Sequence, residues 1–183
     1  MRQVFVDLGA NVGQISFDYA IAHPETEIYC VEPTKALIKD INEKAFRAGR
    51  MFVTMWGAAW IFDGHVDLFG SGAAEASTIV AGKREINGWP QIDYSHPDAV
   101  PCFDFSAWLL RNFNLADYVT VKMDIEGAEY AILEKMIADR SILLVSELIC
   151  EWHQDRYPEI SLERHQAIRD APARPCALVG DRR

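Results

Sequence analysis

The first half of the chain alternates between two hydrophobic periods, and this limits the possible folds more than any other feature. Val4 to Leu8 (VFVDL) is a compact apolar run, the pattern of a strand covered on both faces. Residues from Val12 to about His23 suit a helix that Pro24 stops. Glu27 to Val31 (EIYCV) predicts a second strand. Thr34 is placed to cap a second helix, with Leu37, Ile38, Ile41, Ala45 and Phe46 facing inward and Gly49 ending it. Met51 to Met55 (MFVTM) predicts a third strand. Strands and helices alternating through short turns make right-handed crossovers and a parallel sheet.

The middle breaks the pattern. Between Trp56 and Phe103 stand Asp63-Gly64, the run Gly70 to Gly72, Gly82, Gly88, Pro90, Pro97 and Pro101. Val66 to Phe69 and Thr78 to Val80 are candidate hairpin strands, and no helical stripe runs through the region. It is expected to be an irregular loop and hairpin insertion over residues 57–104, on the substrate side. The alternation then resumes. Ser106 is placed to cap a helix to about Asn114, and Tyr118 to Met123 (YVTVKM) predicts a strand. Ala128 to Ala138 predicts a helix with Ile132, Leu133, Met136 and Ile137 inward, and Ile142 to Leu148 another buried strand. A helix from Ser161 to Arg169 and a short strand at Cys176 to Val179 complete the tail. The expected fold is α/β: one domain over residues 1–183, with a mostly parallel, doubly wound sheet and helices on both faces.

Composition narrows the function. A chain of 183 residues is about one domain, and its net charge of −9 argues against a non-specific nucleic-acid binder, which needs Lys and Arg against phosphates. Residues 61–118 carry a net −5, more than half of the excess. A neutral or cationic small-molecule partner is therefore expected rather than a polyanion. Cys30, Cys102, Cys150 and Cys176 form no CxxC pair, so a zinc site or redox dithiol is not expected. No leader peptide and no membrane-length apolar run are visible, and the expectation is reduced thiols in a cytoplasmic setting.

Three motifs carry chemistry. The first is Asp7-Leu8-Gly9-Ala10-Asn11-Val12-Gly13: a buried strand ending in a carboxylate, then a glycine turn and a helix start. A dinucleotide-binding turn reads GxGxxG, with a helix N-terminus aimed at a pyrophosphate. Here the spacing is Asp-x-Gly-x-x-x-Gly. A carboxylate facing the ligand repels a diphosphate and suits the amine of an amino acid, which favours S-adenosylmethionine over NAD. A tight turn with no ligand is the plainer alternative. The second motif is Glu32, followed by Pro33, about 20 residues beyond the turn. An acidic residue there accepts ribose hydroxyls in either nucleoside cofactor. The third is Asp124, Glu126 and Glu129 around Gly127, at the end of the fourth parallel strand. Asp124 or Glu126 is placed either to contact a ligand or to cap the next helix.

The segments VDLGANVG, VEP, Ala76-Ser77-Thr78-Ile79 and KMDIEGAEYAIL together resemble the FkbM-type family of S-adenosylmethionine-dependent methyltransferases, over about residues 4–151. The resemblance implies a Rossmann-like class I methyltransferase fold. It also implies methylation of hydroxyl groups on sugars, polyketides or other secondary metabolites. Carried over by position, Asp7, Gly9, Ala10, Asn11 and Gly13 would lie along the methionine part of S-adenosylmethionine. Glu32 and Pro33 would hold the ribose, Ala58 would lie near the adenine, and Asp124 would close the pocket. The chain departs from the family in starting almost at its first strand. The antiparallel strand pair that usually ends the fold is visible only as Cys176 to Val179. The expected deficit is in the substrate cover, not the cofactor site.

For transfer to oxygen the candidate bases are His153, Asp124, Glu126 and Glu147, with Glu147 read at the end of the fifth strand and Glu151-Trp152-His153 just after it. His153 is otherwise a buried structural residue beside Trp152. Asp124, Glu126 and Glu147 also offer oxygens to a magnesium-type ion, but the resemblance does not demand one, and no metal is assigned. Trp56 or Trp60 is placed to stack on an adenine, with core packing as the alternative, and Trp89 lies in a loop before Pro90. Two other readings stay open: a nicotinamide-dependent oxidoreductase, disfavoured by the turn spacing, and a cofactor-binding remnant without activity.

Overall fold

The computed structural model describes residues 1–70, 77–84 and 91–171, and the backbone of 178–181. The first strands and helices follow the sequence pattern closely: β1 (Gln3–Leu8), α1 (Gln14–Ala22), β2 (Glu27–Glu32), α2 (Lys35–Arg47) and β3 (Phe52–Trp56). The middle holds β4 (Ala58–Trp60), β5 (Gly64–Gly70) and β6 (Asp93–Asp104). Then come α3 (Phe105–Asn112), β7 (Tyr118–Met123), α4 (Glu129–Ala138), a 3-10 turn (Ser141–Leu144), β8 (Val145–Cys150), α5 (Leu162–Arg169) and β9 (Leu178–Asp181).

The main sheet has the order β3-β2-β1-β7-β8-β9, and every neighbouring pair is parallel. Strand order reverses between β1 and β7, so a crevice opens beyond their carboxyl ends. The pleat of β1 sorts its side chains. Val4, Val6 and Leu8 enter one apolar layer with Phe105 and Leu109 of α3 and Ile132, Leu133 and Met136 of α4. Phe5 enters the other, with Ala20 of α1, Ile28 and Cys30 of β2 and Ile41 of α2. Asp7 shares the Phe5 face, which puts a carboxylate under α1.

Several expectations change. Phe46, read as inward, is 86% exposed, because the buried stripe of α2 narrows to Ile41 and Ala45. Thr34 precedes α2 but makes no side-chain cap bond. Asp104, not Ser106, caps α3 by accepting from the Ala107 amide at 3.0 Å. Ser106 lies inside the helix and donates to Asp139, tying α3 to the end of α4. The strand expected at 142–148 starts as a 3-10 turn and runs on as β8 to Cys150. Glu147 is therefore in the middle of β8, not at its end.

The middle segment is also more regular than expected. β4 and β5 flank β6 in a second sheet, β4 parallel and β5 antiparallel to it. Pro97 and Pro101 hide this twelve-residue strand in the sequence. β6 tolerates them because β4 pairs only with Cys102 to Asp104, and Pro97 falls in the register shift opposite Leu68 and Gly70. Thr78 makes a single antiparallel bridge to Phe69 rather than a strand. At the tail, β9 pairs with β8 in parallel, Leu148 opposite Leu178. No antiparallel pair joins the main sheet among the described residues. Cys176, Trp89 and Ala76 lie outside them. Cys30, Cys102 and Cys150 are buried and free. No described helix is long and apolar enough to cross a membrane.

The layer between β1 and α4 sets stability. Ile132→Ala is expected to lower unfolding free energy by about 2–5 kcal/mol. Phe46→Ala on the exposed face of α2 should stay within about 0.5 kcal/mol. Urea unfolding of both variants checks the assignment.

Candidate functional site

The turn after β1 is held from both sides. The amides of Gly9 and Ala10 both donate to the Val31 carbonyl at 3.0 Å, and the Asp124 amide donates to Leu8 at 3.1 Å. Gly9 has φ +75°, and a Cβ there would come within 1.9 Å of the Asp124 carbonyl oxygen. Only glycine lets β1 and β7 approach so closely. Beyond this turn lies a cleft of about 80 Å³ that opens to solvent. Gly9, Asn11, Glu32, Pro33, Ala58 and Asp124 all line it.

Asp7, Ala10 and Gly13 do not line the cleft. Asp7 is fully buried and accepts a 2.7 Å hydrogen bond from Ser16 Oγ. Its Oδ1 lies 3.1 Å from Lys122 Nζ. Lys122 also donates to the Gly9 carbonyl at 3.0 Å and lies 3.5 Å from Asp124 Oδ2. Burial pushes the Asp7 carboxyl above its usual range, though Lys122 pulls the other way. For Lys122, burial acts downward, but Asp7 and Asp124 outweigh it and the net direction is up. Asp7 thus anchors the turn from below instead of facing a ligand. Gly13 has φ +77° at the start of α1, and a Cβ there would lie 3.0 Å from the Ile41 side chain.

At one end of the cleft, the Glu32 carboxylate accepts from the Asn11 amide at 3.0 Å and the Thr34 amide at 2.8 Å. Burial raises its pKa, against those hydrogen bonds and Lys122. Asn11 Oδ1 is buried without a hydrogen-bond partner among the described residues. Trp56 donates to the Pro33 carbonyl and stacks beneath Lys35 at the rim, while Trp60 packs on Phe62.

At the other end, Asp124 and Glu126 line the cleft and His153 lies behind them, 1% exposed. His153 Nδ1 is 2.9 Å from Glu129 Oε1. Its Nε2 is 3.3 Å from Glu126, 3.7 Å from Glu151 and 3.9 Å from Asp124 oxygens, with no hydrogen bond to any described residue. Burial acts to lower the His153 pKa, but Glu129, Glu126 and Asp124 outweigh it, so the net direction is up. Glu129 caps α4's approach by accepting from the Ile125 and Gly127 amides at 2.9 and 2.8 Å. Glu129, not Asp124 or Glu126, is therefore the helix-start carboxylate.

Glu126 sits at φ +55°, and its carbonyl accepts from Thr78 Oγ1 at 2.7 Å and from the Tyr157 hydroxyl. Its carboxylate meets Lys83 at 2.7 Å and Arg156 at 3.2 Å. Glu147 is excluded from this group: it accepts from Thr120 at 3.3 Å, level with the middle of β7.

The Methyltransferase FkbM domain family matches residues 7–171. The chain belongs to this family. Methyltransferase FkbM from Methylobacillus flagellatus KT, a crystal structure, is 16% identical with a TM-score of 0.47 over 77% of this chain. The chain spans 30% of that protein's length. The PH0226 protein from Pyrococcus horikoshii OT3 is 10% identical with a TM-score of 0.28, over 60% of this chain and 71% of that one. No curated protein matches the chain.

In this FkbM domain the motif residues divide into two sets. Gly9, Asn11, Glu32 and Asp124 meet the cleft; Asp7, Lys122, Glu129 and His153 hold it from below. Lys122 and Glu129 stand in the KMDIEGAE run, but only packing shows that they point inward. Lys83, Arg156 and Tyr157 carry no local motif at all. Lys122→Met should leave Asp7 buried without its counter-charge and cost about 3–5 kcal/mol, read by thermal and urea unfolding. A loss below about 1 kcal/mol would show that the buried pair does not hold the turn.

Proposed function

We propose that the chain is an S-adenosylmethionine-dependent methyltransferase acting on a hydroxyl group of a small molecule. The observation that carries this is one cleft with two different polar ends. Glu32 and the unpartnered Asn11 Oδ1 form one. Asp124 and Glu126, backed by His153, form the other.

The residues fit the cofactor. Glu32 has acceptor lone pairs left for ribose hydroxyls after binding two amides. Asn11 Oδ1 lacks a donor that a ligand would supply. Gly9 leaves the backbone bare where the amino-acid part would lie. Ala58, small and buried, leaves room beside the base.

Bound S-adenosylmethionine supplies an electrophilic methyl group on a sulfonium centre. The protein's task is then to place an acceptor oxygen in line with it and to take up a proton. Positioning alone is worth up to ~7–11 kcal/mol in ideal cases. Asp124 divides its oxygens between the two tasks. Oδ2 is committed to Lys122, and Oδ1 is on the His153 side, able to accept a hydroxyl proton. His153 lies behind that carboxylate, with Nε2 3.9 Å from Oδ1, and its buried ring does not itself line the cleft. The negative charge of residues 61–118 favours a neutral or cationic acceptor over a polyanion.

Calorimetric titration with S-adenosylhomocysteine tests the cofactor. Binding is expected, with Glu32→Gln weakening it about tenfold, or roughly 1.4 kcal/mol. No binding by the folded protein, or unchanged binding in that variant, would overturn the reading. Methyl transfer to a panel of sugar and polyketide alcohols tests the acceptor class.

A further inference from the structure

The His153 side chain poses an electrostatic problem within the described residues. The amides of Ile125 and Gly127 fix Glu129 as an acceptor, so the proton on the His153 ring belongs on Nδ1, facing Glu129. In the neutral ring, Nε2 then presents a lone pair. It faces three carboxylate oxygens, which are acceptors too, at 3.3, 3.7 and 3.9 Å. The group calls for positive charge beside the neutral ring, of which Lys83 and Arg156 on Glu126 and Lys122 on Asp124 supply a part.

The spacing suits a metal ion. Ligand atoms about 2.1 Å from one ion stand roughly 3.0–3.4 Å apart. Asp124, Glu126 and His153 each bring a ligand atom within 4.8 Å of the others. The carboxylate behind Nδ1 is the arrangement that orients metal-binding histidines: Glu129 fixes the tautomer and raises the basicity of Nε2. His153 is 1% exposed, so this unpartnered nitrogen is aimed into the cluster and not at water.

We propose that His153 Nε2, Asp124 Oδ1 and Glu126 Oε2 form a site for one divalent cation at the floor of the cleft, with Glu151 Oε1 beside it, 3.7 Å from Nε2. One imidazole with several carboxylates suits Mn²⁺ or Zn²⁺, with Mg²⁺ a weaker fit. Lys83 and Arg156 share Glu126, and Lys122 shares Asp124. Their charges hold the carboxylates in place but oppose the ion, so modest affinity is expected. Asp124 and Glu126 also line the cleft, so coordination positions left open by the protein face the acceptor end. A cation there would orient an acceptor oxygen, with Asp124 Oδ1 then serving as a ligand instead of the proton acceptor. This deepens the reading of that end as the acceptor side, but the ion's binding is measurable without cofactor or acceptor.

The test is calorimetric titration of the full chain, stripped with chelator, with Mn²⁺, Zn²⁺ and Mg²⁺ in separate runs. One saturable Mn²⁺ or Zn²⁺ per chain is expected. His153→Gln should abolish it and Asp124→Asn should weaken it about tenfold or more. Glu163→Gln, on the exposed face of α5, should leave it unchanged. Thermal melts of each variant check folding. If His153→Gln does not fold, Asp124→Asn alone decides. No saturable binding at millimolar ion, binding that survives His153→Gln, or binding undiminished by Asp124→Asn, overturns the site. It then holds an imidazolium paired with its carboxylates. S-adenosylhomocysteine titrated into the same sample separates the two claims: cofactor binding without ion binding defeats only the metal site, and the converse defeats only the cofactor reading.

Discussion

The buried ion pair between Lys122 and Asp7 is the constraint on which the rest of this structure depends. It joins β1 to β7 where the strand order reverses, the one place where a parallel sheet of this kind must open. Two charges under a helix are costly to desolvate, and the cost is offset only when every remaining polar atom is engaged. Lys122 meets that condition by also reaching the Gly9 carbonyl and Asp124. The glycine turn, the end of β7 and the carboxylate beside the cleft are therefore one unit. Any ligand resting on Gly9 also feels where Asp124 is.

From that unit the cleft extends in two directions with different chemistry. Towards β2, buried Glu32 is held by two backbone amides and offers only acceptors. Towards α4 and the segment after β8, carboxylates crowd a single buried imidazole. The positive φ of Glu126 turns its carbonyl towards Thr78 and Tyr157 while its carboxylate stays in the cluster. Thr78 belongs to the segment between β5 and β6, so this hydrogen-bonded corner, together with the Lys83–Glu126 ion pair, ties the inserted segment to the chemical end of the cleft. Gly127 makes the corner possible, since a Cβ there would strike the Tyr157 ring.

Much of the fold was legible because local and global patterns agree. The apolar runs of β1, β2 and β7 and the stop at Pro24 have one consistent solution. β6 was not legible: its two prolines and alternating charges look like loop, and only its unpaired edge explains why they fit. At the site, residues on the rim were easier to assign than those beneath it. Gly9, Asn11, Glu32 and Asp124 sit at strand ends, and strand ends can be counted. Asp7 was placed at the correct strand end but on the wrong side of the sheet surface, because its partner lies 115 residues away in sequence. Glu147 failed for a simpler reason: a 3-10 turn takes up the start of its predicted strand and moves the residue back from the edge. His153 was found as a histidine near a strand end, but its relation to Glu129 depends on how α4 begins.

In the proposed function a single cleft at the β1–β7 switch point holds the cofactor, with its sulfur between the Gly9 turn and the Asp124 end. The deciding measurement is a crystal structure with bound S-adenosylhomocysteine. Ribose hydroxyls are expected on Glu32, the amino-acid part along Gly9 to Asn11, and the sulfur facing Asp124. A nucleoside bound outside that cleft, or one whose ribose does not meet Glu32, would contradict it.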